Sequence, residues 1–307
     1  MSTKSEQSEH KGALFLCVAI LCFGSVPVFL KHFTAYLDAW TVNGIRYGVA
    51  ALFWLPFVLR NHRKVPAGRN VWRDALLPAL FNTAAQVGWA IAPYHNDAGV
   101  IGFVIRSAFL FSTLFGCWFL PSERTIVRRP LFWMGAGGIA AGLIVMYGGS
   151  LQQGSTSPLG MTILLATAVA WAMYGVSVRR HMQGYGVRIS FGVISLYTTL
   201  ALWVFMLLFG NWKQAAELSP QTWAMLALSA MLGIAFSHVS MYLAIHILGP
   251  VITEGGLALQ PFVTALAAAL ALGEHLGLAG WLGGCLLAAS CFCLISVKRF
   301  SKPREKT

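Results

Sequence analysis

Apolar residues run along this chain in ten long stretches, separated by short polar connections. Each stretch is about 20 residues long, the length that an α-helix needs to cross the hydrocarbon core of a bilayer. The stretches do not alternate between apolar and polar positions as barrel strands do, so the pattern predicts helices. The predicted spans are 12–31, 40–59, 74–93, 98–120, 131–149, 158–178, 188–209, 221–245, 250–272 and 276–297.

The first stretch has a second interpretation, because it follows Lys4 and Lys11 as the apolar part of a secretory signal would. No small-x-small cleavage site follows it, and the residues after Lys31 are bulky. The stretch is also long enough to span a bilayer. We therefore interpret it as the first of ten transmembrane helices.

The composition excludes a soluble protein. Of 307 residues, 57% are hydrophobic and 10% are charged, and the mean hydropathy is +0.67. Soluble domains carry about 25% charged residues, and disordered chains need low hydrophobicity. The sequence therefore predicts an all-α integral membrane protein whose surroundings are the lipid bilayer.

The net charge of +12 is distributed unevenly among the connections. If the spans alternate in direction, 18 of the 22 Lys and Arg residues fall on one face and two on the other. Such an excess marks the cytoplasmic face of a membrane protein, so both termini are expected in the cytoplasm. No single basic domain collects the charges, so contacts with lipid headgroups explain them and nucleic-acid binding is not expected.

Two similar segments, ending at Glu123 and at Glu274, occupy the same place in each half of the chain. Aligning these glutamates also aligns Phe111 with Phe262, and a Gly-rich helix follows each segment. A repeated unit of five helices has an odd number of crossings, so its second copy must enter from the opposite side. The sequence thus predicts two inverted five-helix repeats, a common design among secondary transporters. We expect the repeats at 12–149 and 158–297, with cytoplasmic tails at 1–11 and 298–307.

Small residues give several spans a face for close helix packing. Static packing, a homodimer interface and a sliding surface all remain open for these faces, so we expect a monomer or a homodimer. Pro27 and Pro261 interrupt spans 1 and 9 and permit bending, which assigns Pro261 a structural or coupling role. The small pairs are Gly44 with Gly48, Gly138 with Gly142 and Gly280 with Gly284.

Charged residues within spans are costly, so each needs a partner or a function. Arg46 in span 2 and Arg106 in span 4 both fall in the outer third of the bilayer. Each either anchors a substrate carboxylate or makes a structural contact with a carboxylate or a helix-end carbonyl. Glu254 in span 9 either takes up a proton, meets a substrate ammonium or caps its helix. We place Arg106 in the substrate site, and give Arg46 and Glu254 structural or coupling roles.

Polar and aromatic side chains share helix faces within several spans. In span 3, Asn82, Gln86 and Trp89 lie on one face, at i, i+4 and i+7, which suits a water-accessible cavity better than lipid. Trp89 and Tyr94 also fit interfacial anchors, and His238 also fits a hydrogen-bonded interior histidine. The candidate substrate-binding residues are Asn82, Gln86, Trp89, Tyr94, His95, Arg106, Trp171, Tyr174, His238 and Tyr242.

Motifs for enzymatic chemistry are missing from the sequence. There is no HExxH, no pair of aspartates within the spans and no phosphate-binding loop, so neither catalysis nor direct use of ATP is expected. All six cysteines fall within spans, and Cys291 and Cys293 point to different sides of their helix. We therefore expect no metal site and no cofactor.

Four short motifs resemble those of a known family. They are Phe23-Gly24-Ser25, Gly44-Ile45-Arg46-Tyr47, Ser122-Glu123-Arg124, and Gln260-Pro261-Phe262 followed by Gly273-Glu274-His275-Leu276. In this order they resemble the drug/metabolite transporter superfamily, specifically its EamA-like branch, and within it the YddG-type amino-acid exporters.

The resemblance implies a secondary transporter in a bacterial inner membrane. By alternating access, it would export amino acids, aromatic or other apolar ones among them, and related metabolites. A central aromatic-lined cavity would hold the substrate. Export of lipophilic drugs or other small metabolites by the same fold is the alternative.

Overall fold

A computed structural model describes residues 2–62, 66–96, 98–153, 157–273 and 275–300. This part of the chain is helical and contains no β-strand. Turns of 3₁₀ helix lie at Ala92–Tyr94, Ile105–Ser107 and Trp212–Glu217, and a π-helical turn lies at Met231–Phe236. The α-helices are α1 (Ser2–Phe33), α2 (Ala39–Asn61), α3 (Val71–Asp74), α4 (Leu76–Ile91), α5 (Ala98–Val104), α6 (Ala108–Phe119), α7 (Pro121–Val127), α8 (Pro130–Gln153), α9 (Pro158–His181), α10 (Val187–Phe209), α11 (Pro220–Ala230), α12 (Ser237–Leu248), α13 (Pro250–Leu257), α14 (Gln260–Leu272) and α15 (Leu278–Phe300).

These helices form the predicted spans. Spans 1, 2, 3, 5, 6, 7 and 10 are each a single helix, namely α1, α2, α4, α8, α9, α10 and α15. The other three spans are interrupted. Span 4 is α5 and α6, span 8 is α11 and α12 with the π turn between them, and span 9 is α13 and α14.

The observed lengths differ from the prediction at spans 1 and 3. Nine helical segments of the described chain are long and apolar enough to cross a membrane. The span predicted at 74–93 is not among them, because α4 has only 16 residues and a 3₁₀ turn containing a proline ends it. Span 1 is longer than predicted, because α1 begins at Ser2 and includes most of the expected N-terminal tail.

Helix packing follows the inverted repeat. Span 2 packs against span 7, and span 5 against span 10, so each pairs with its own counterpart in the other half. Spans 3 and 4 of the first half both pack on span 6. Their counterparts in the second half, spans 8 and 9, both pack on span 1, which is the counterpart of span 6. The two halves are therefore two inverted five-helix repeats, and spans 1 and 6 are the central contacts between them.

Two of the small-residue faces lie inside this bundle. Gly44 and Gly48 pack beneath side chains of α10, and a Cβ added at Gly48 would lie 3.0 Å from the Trp203 ring. Gly138 and Gly142 allow α8 to approach α15 closely. Static packing within the chain thus accounts for these faces.

A polar network outside the spans joins the connection before span 3 to the one after span 6. The Arg69 guanidinium donates to Asp74 Oδ2 at 2.7 Å and to the backbone carbonyls of His181 and Gln183. The Tyr185 hydroxyl donates to the same Asp74 oxygen at 2.7 Å. Burial raises the pKa of Asp74, but the Tyr185 hydroxyl and the Arg69 guanidinium outweigh burial and hold that pKa below its ordinary value. Burial and the bond to Asp74 raise the pKa of Tyr185 to about 12.

Candidate functional site

The two repeats are interrupted at corresponding positions in spans 4 and 9. In span 4, α5 passes into the 3₁₀ turn Ile105–Ser107 before α6 begins. In span 9, α13 ends at Leu257 and α14 begins at Gln260. Paired breaks of this kind expose backbone polar groups within the bilayer and mark the substrate sites of many transporters. We therefore take the junction of these two breaks as the candidate site.

Pro261 explains the break in span 9. A proline has no N–H, so it cannot donate to the carbonyl four residues earlier, which here belongs to Leu257. Arg106 from span 4 supplies the missing donor, since its Nη1 lies 3.0 Å from the Leu257 carbonyl oxygen and 3.2 Å from Gln260 Oε1. The charged side chain at the break in span 4 thus fills the break in span 9. Pro261 was expected to permit bending of span 9, and the helix is interrupted just before it.

The remaining edge of the Arg106 guanidinium has no acceptor in the described chain. Its Nε is buried and has no hydrogen-bond partner among the described residues, and only Nη1 donates to the protein. Leaving a buried donor unsatisfied costs about 1–3 kcal/mol, and more when the group is charged. The Nε–Nη2 edge is one of the two-donor edges that a carboxylate can bind in bidentate fashion. The Ser107 hydroxyl, next in sequence, is also buried without a partner in the described chain.

Glu254 brings a carboxylate to the same junction. It lies three residues before Leu257 on α13, hence on the same side of that helix, and it interacts electrostatically with Arg106. Glu254 is partly exposed, and a Cβ added at Gly175 of α9 would lie 3.6 Å from its Oε1. The capping role considered for Glu254 falls instead to Glu123, whose Oε2 accepts from the N–H of Val251 in the first turn of α13 at 3.4 Å.

An aromatic pair lies beside the break in span 4. The ring centroids of Trp89 and Trp171 are 5.3 Å apart, and both side chains are partly exposed. Both pack against a cluster that contains Ile105, in the break, and Ala108, at the start of α6. The junction therefore offers a guanidinium edge, a carboxylate and an indole surface.

Four other candidate residues form a separate, closed cluster. The hydroxyls of Tyr174 and Tyr242 lie 2.5 Å apart, and both side chains are buried. The His238 ring lies within 5.0–6.4 Å of the rings of Phe23, Tyr47, Tyr174 and Phe191.

Asn82 joins this closed cluster through hydrogen bonds to Tyr47 Oη and Thr198 Oγ1, at 3.2 and 3.0 Å. Side chains from spans 1, 2, 3, 6, 7 and 8 thus fill the space between the halves. The structure places these residues in a closed core, which borders the junction where Gln260 Nε2 donates to the Phe23 carbonyl.

The last three candidates lie elsewhere. Tyr94 is 67% exposed in the turn that ends span 3, where an interfacial anchor would lie. His95 follows it in the connection and is partly exposed. Gln86 is buried, and its backbone carbonyl accepts from Asn43 Nδ2 at 3.4 Å.

Arg46 makes structural contacts. Its Nε donates to Ser229 Oγ at 3.1 Å and its Nη2 to the Ser229 carbonyl at 3.2 Å, two residues before the π turn of span 8. The side chain is 4% exposed. Of the two roles considered for Arg46, these bonds correspond to the structural one, a contact with a backbone carbonyl of another helix.

Sequence reasoning missed several residues around these clusters. Gln260 holds Arg106 and also donates to the Phe23 carbonyl at 3.2 Å, and its position next to Pro261 was the available signal. Tyr147 of span 5 interacts electrostatically with Arg106, and nothing in its local sequence indicates this. Within the described residues, no group of three His, Cys, Asp or Glu side chains forms a metal site.

Two inverted repeats with paired helix breaks, meeting at a charged junction between the halves, define a polytopic membrane transporter of small molecules. The chain belongs to the EamA-like transporter family, whose model matches residues 10–148 and again residues 158–296. The two matches correspond to the two five-helix repeats.

Comparison with solved structures supports the fold. The chain is similar to a protein of known crystal structure with a TM-score of 0.72 and 19% sequence identity, over 95% of this chain and 99% of that one. At this identity the likeness shows the fold alone. No curated protein matches the chain.

Proposed function

We propose that this protein is a secondary transporter that exports amino acids, apolar and aromatic ones among them, and related metabolites, in the manner of the YddG-type exporters. The observation that carries the proposal is the open Nε–Nη2 edge of Arg106 at the junction of the two broken spans. A carboxylate would satisfy this edge, and the Trp89–Trp171 pair would contact the apolar side chain of the substrate.

Alternating access is supported by the contrast between the two clusters. Tyr174, His238 and Tyr242 are buried, and Tyr174 contacts the other two, while Trp89, Arg106 and Trp171 are partly exposed. Opening the closed cluster while closing the junction would expose the substrate to the other face. The inverted repeats provide two related packings for this exchange.

We place the protein in a bacterial inner membrane with both termini in the cytoplasm. The support is the Lys and Arg asymmetry of the connections. A monomer is sufficient for transport, because the glycine faces of α2 and α8 are occupied within the chain.

Export of lipophilic cationic drugs is the second candidate. Glu254, which is partly exposed and faces Gly175 one helical turn after Trp171 on α9, is the observation that favours it. Arg106 disfavours it, because a positive charge at the same junction would repel a cation. A substrate that carries both charges, such as an amino acid, fits both residues.

The test is efflux from proteoliposomes that contain the purified full chain. We expect labelled phenylalanine or leucine to leave faster than from protein-free vesicles. Arg106→Ala should slow efflux of amino acids and spare their uncharged analogues, and Arg128→Ala, at an exposed arginine, is the matched control. No flux of any amino acid above protein-free vesicles would overturn the proposal, and faster flux of a lipophilic cation would favour the second candidate.

A further inference from the structure

Arg106 poses a problem for a transporter that must return empty. A substrate carboxylate can neutralise the guanidinium while the site is loaded. After release, the described part of the chain leaves Nε buried and without a partner. An uncompensated charge within a bilayer opposes any movement that excludes water from it. The empty site therefore needs a second anion for the return step.

Glu254 is placed to be that anion. Arg106 already donates to the Leu257 carbonyl at 3.0 Å, and Glu254 lies one helical turn earlier on the same side of α13. The two charges interact electrostatically but do not form an ion pair within 4.0 Å in this conformation. Tyr147, the other group that interacts with Arg106, is a phenol and brings no charge when it is protonated.

The surroundings of Glu254 leave it able to move. Its carboxylate has no hydrogen-bond partner among the described residues, and Gly175 on the facing helix α9 presents no side chain to it. The break between α13 and α14 lies directly beyond Leu257. Gln260, at the start of α14, is held in place by its hydrogen bond to the Phe23 carbonyl at 3.2 Å. A change in the angle between α13 and α14 would therefore move Glu254, on α13, while Gln260 stays in place.

We propose that Glu254 is the internal counter-ion of Arg106, which binds the guanidinium edge when the site is empty and gives way to the carboxylate of the substrate. This inference rests on the proposed amino-acid transport. It assigns Glu254 to the return of the empty carrier, and not to substrate binding. Net transport needs that return step, whereas exchange of one substrate molecule for another does not.

Two assays on the same proteoliposomes separate these steps. In counterflow, unlabelled amino acid inside drives uptake of labelled amino acid, so only the loaded carrier crosses. In net efflux, loaded vesicles are diluted into substrate-free medium, so the empty carrier must return. For Glu254→Gln we expect net efflux to fall about tenfold or more while counterflow stays within about twofold of the parent protein.

Two further variants complete the test. Glu254→Asp keeps the charge and should retain most net efflux, and Glu217→Gln, at an exposed carboxylate outside the spans, should change neither assay. Size-exclusion profiles and melting temperatures check that each variant is folded.

Each outcome bears on one of the two proposals. Equal loss of counterflow and net efflux in folded Glu254→Gln would assign Glu254 to the substrate ammonium and overturn the counter-ion role. Unchanged net efflux would also overturn it. Absence of both activities in the parent protein would instead overturn amino-acid transport.

Discussion

The regions around Arg46 and Arg106 each place an arginine within a predicted span, yet they differ in which atoms of the guanidinium are occupied. Arg46 donates to Ser229 through Nε and Nη2, one of its two-donor edges. Arg106 donates only through Nη1 and leaves its Nε–Nη2 edge without a partner in the described chain. The first is part of the packing between spans 2 and 8, and the second retains an unused pair of donors.

The difference arises from the local backbone. Span 2 is continuous at Arg46, and the side chain reaches a hydroxyl and a carbonyl of span 8. Arg106 lies within a 3₁₀ turn, opposite a carbonyl that Pro261 has left without its helical donor. The role proposed for Arg106 therefore rests on the free edge of its guanidinium, and not on the presence of an intramembrane arginine alone.

The largest expected effect comes from Arg106→Lys. Lysine keeps the charge but cannot present two parallel donors. Loss of a charge-assisted hydrogen bond of about 1.5–3 kcal/mol would lower kcat/KM for amino-acid efflux roughly 10- to 100-fold. The melting temperature should change little, because Nη1 alone contacts the protein. Efflux kinetics in proteoliposomes measure the change, and near-normal kcat/KM would show that the open edge does not bind substrate.

The next effect is on stability and concerns Arg46→Met. Methionine fills part of the volume but leaves the Ser229 carbonyl and hydroxyl without their donors from span 2. We expect a loss of about 2 kcal/mol in the free energy of unfolding, within the range for an unsatisfied buried group. The KM for amino acids should not change in the protein that remains folded. Thermal unfolding in detergent measures the loss, and a raised KM with an unchanged melting temperature would reverse the assignment of the two arginines.

Much of the architecture was predictable, since ten apolar stretches, the charge asymmetry and two similar segments each follow from local sequence. The breaks were less so. Pro261 indicates the break in span 9. The apolar sequences at 105–107 and 231–236, in contrast, do not distinguish an α-helix from the 3₁₀ and π turns that occur there.

The candidate junction contains residues that the sequence singles out, Trp89, Arg106, Trp171 and Glu254, but the sequence does not indicate how the candidate residues are grouped. Arg106 and Leu257 are 151 positions apart, so no local pattern indicates which donor is occupied. Tyr174, His238 and Tyr242 were assigned to the same cavity as Trp89 by residue type. Their separation into a closed cluster depends on contacts among six spans.

A matched pair of glycine substitutions would sharpen the comparison. A Cβ at Gly233 would lie 2.4 Å from Val26 Cγ2 and 2.6 Å from Arg46 Nη2, so Gly233→Ala must displace the guanidinium. At Gly175 the nearest atom is Glu254 Oε1 at 3.6 Å, an ordinary contact. We expect Gly233→Ala to destabilise by about 1 kcal/mol or more, and Gly175→Ala to be neutral or slightly stabilising. Equal melting temperatures for the two variants would contradict the close packing around Arg46.

The smallest effect is expected outside the bilayer, where Arg69 meets a carboxylate in water. Asp74→Asn removes that charge, and exposed ion pairs contribute only about 0–1 kcal/mol. Because the folded-state pKa of Asp74 lies below its ordinary value, the stabilisation is present at neutral pH. It disappears as the pH falls from the unfolded carboxyl value of about 3.9 through the folded one. Melting temperatures of the parent protein and the variant should therefore differ slightly at neutral pH and converge in acid. A difference that persisted in acid would show that the Asp74 side chain stabilises this connection by packing, without a contribution from its charge.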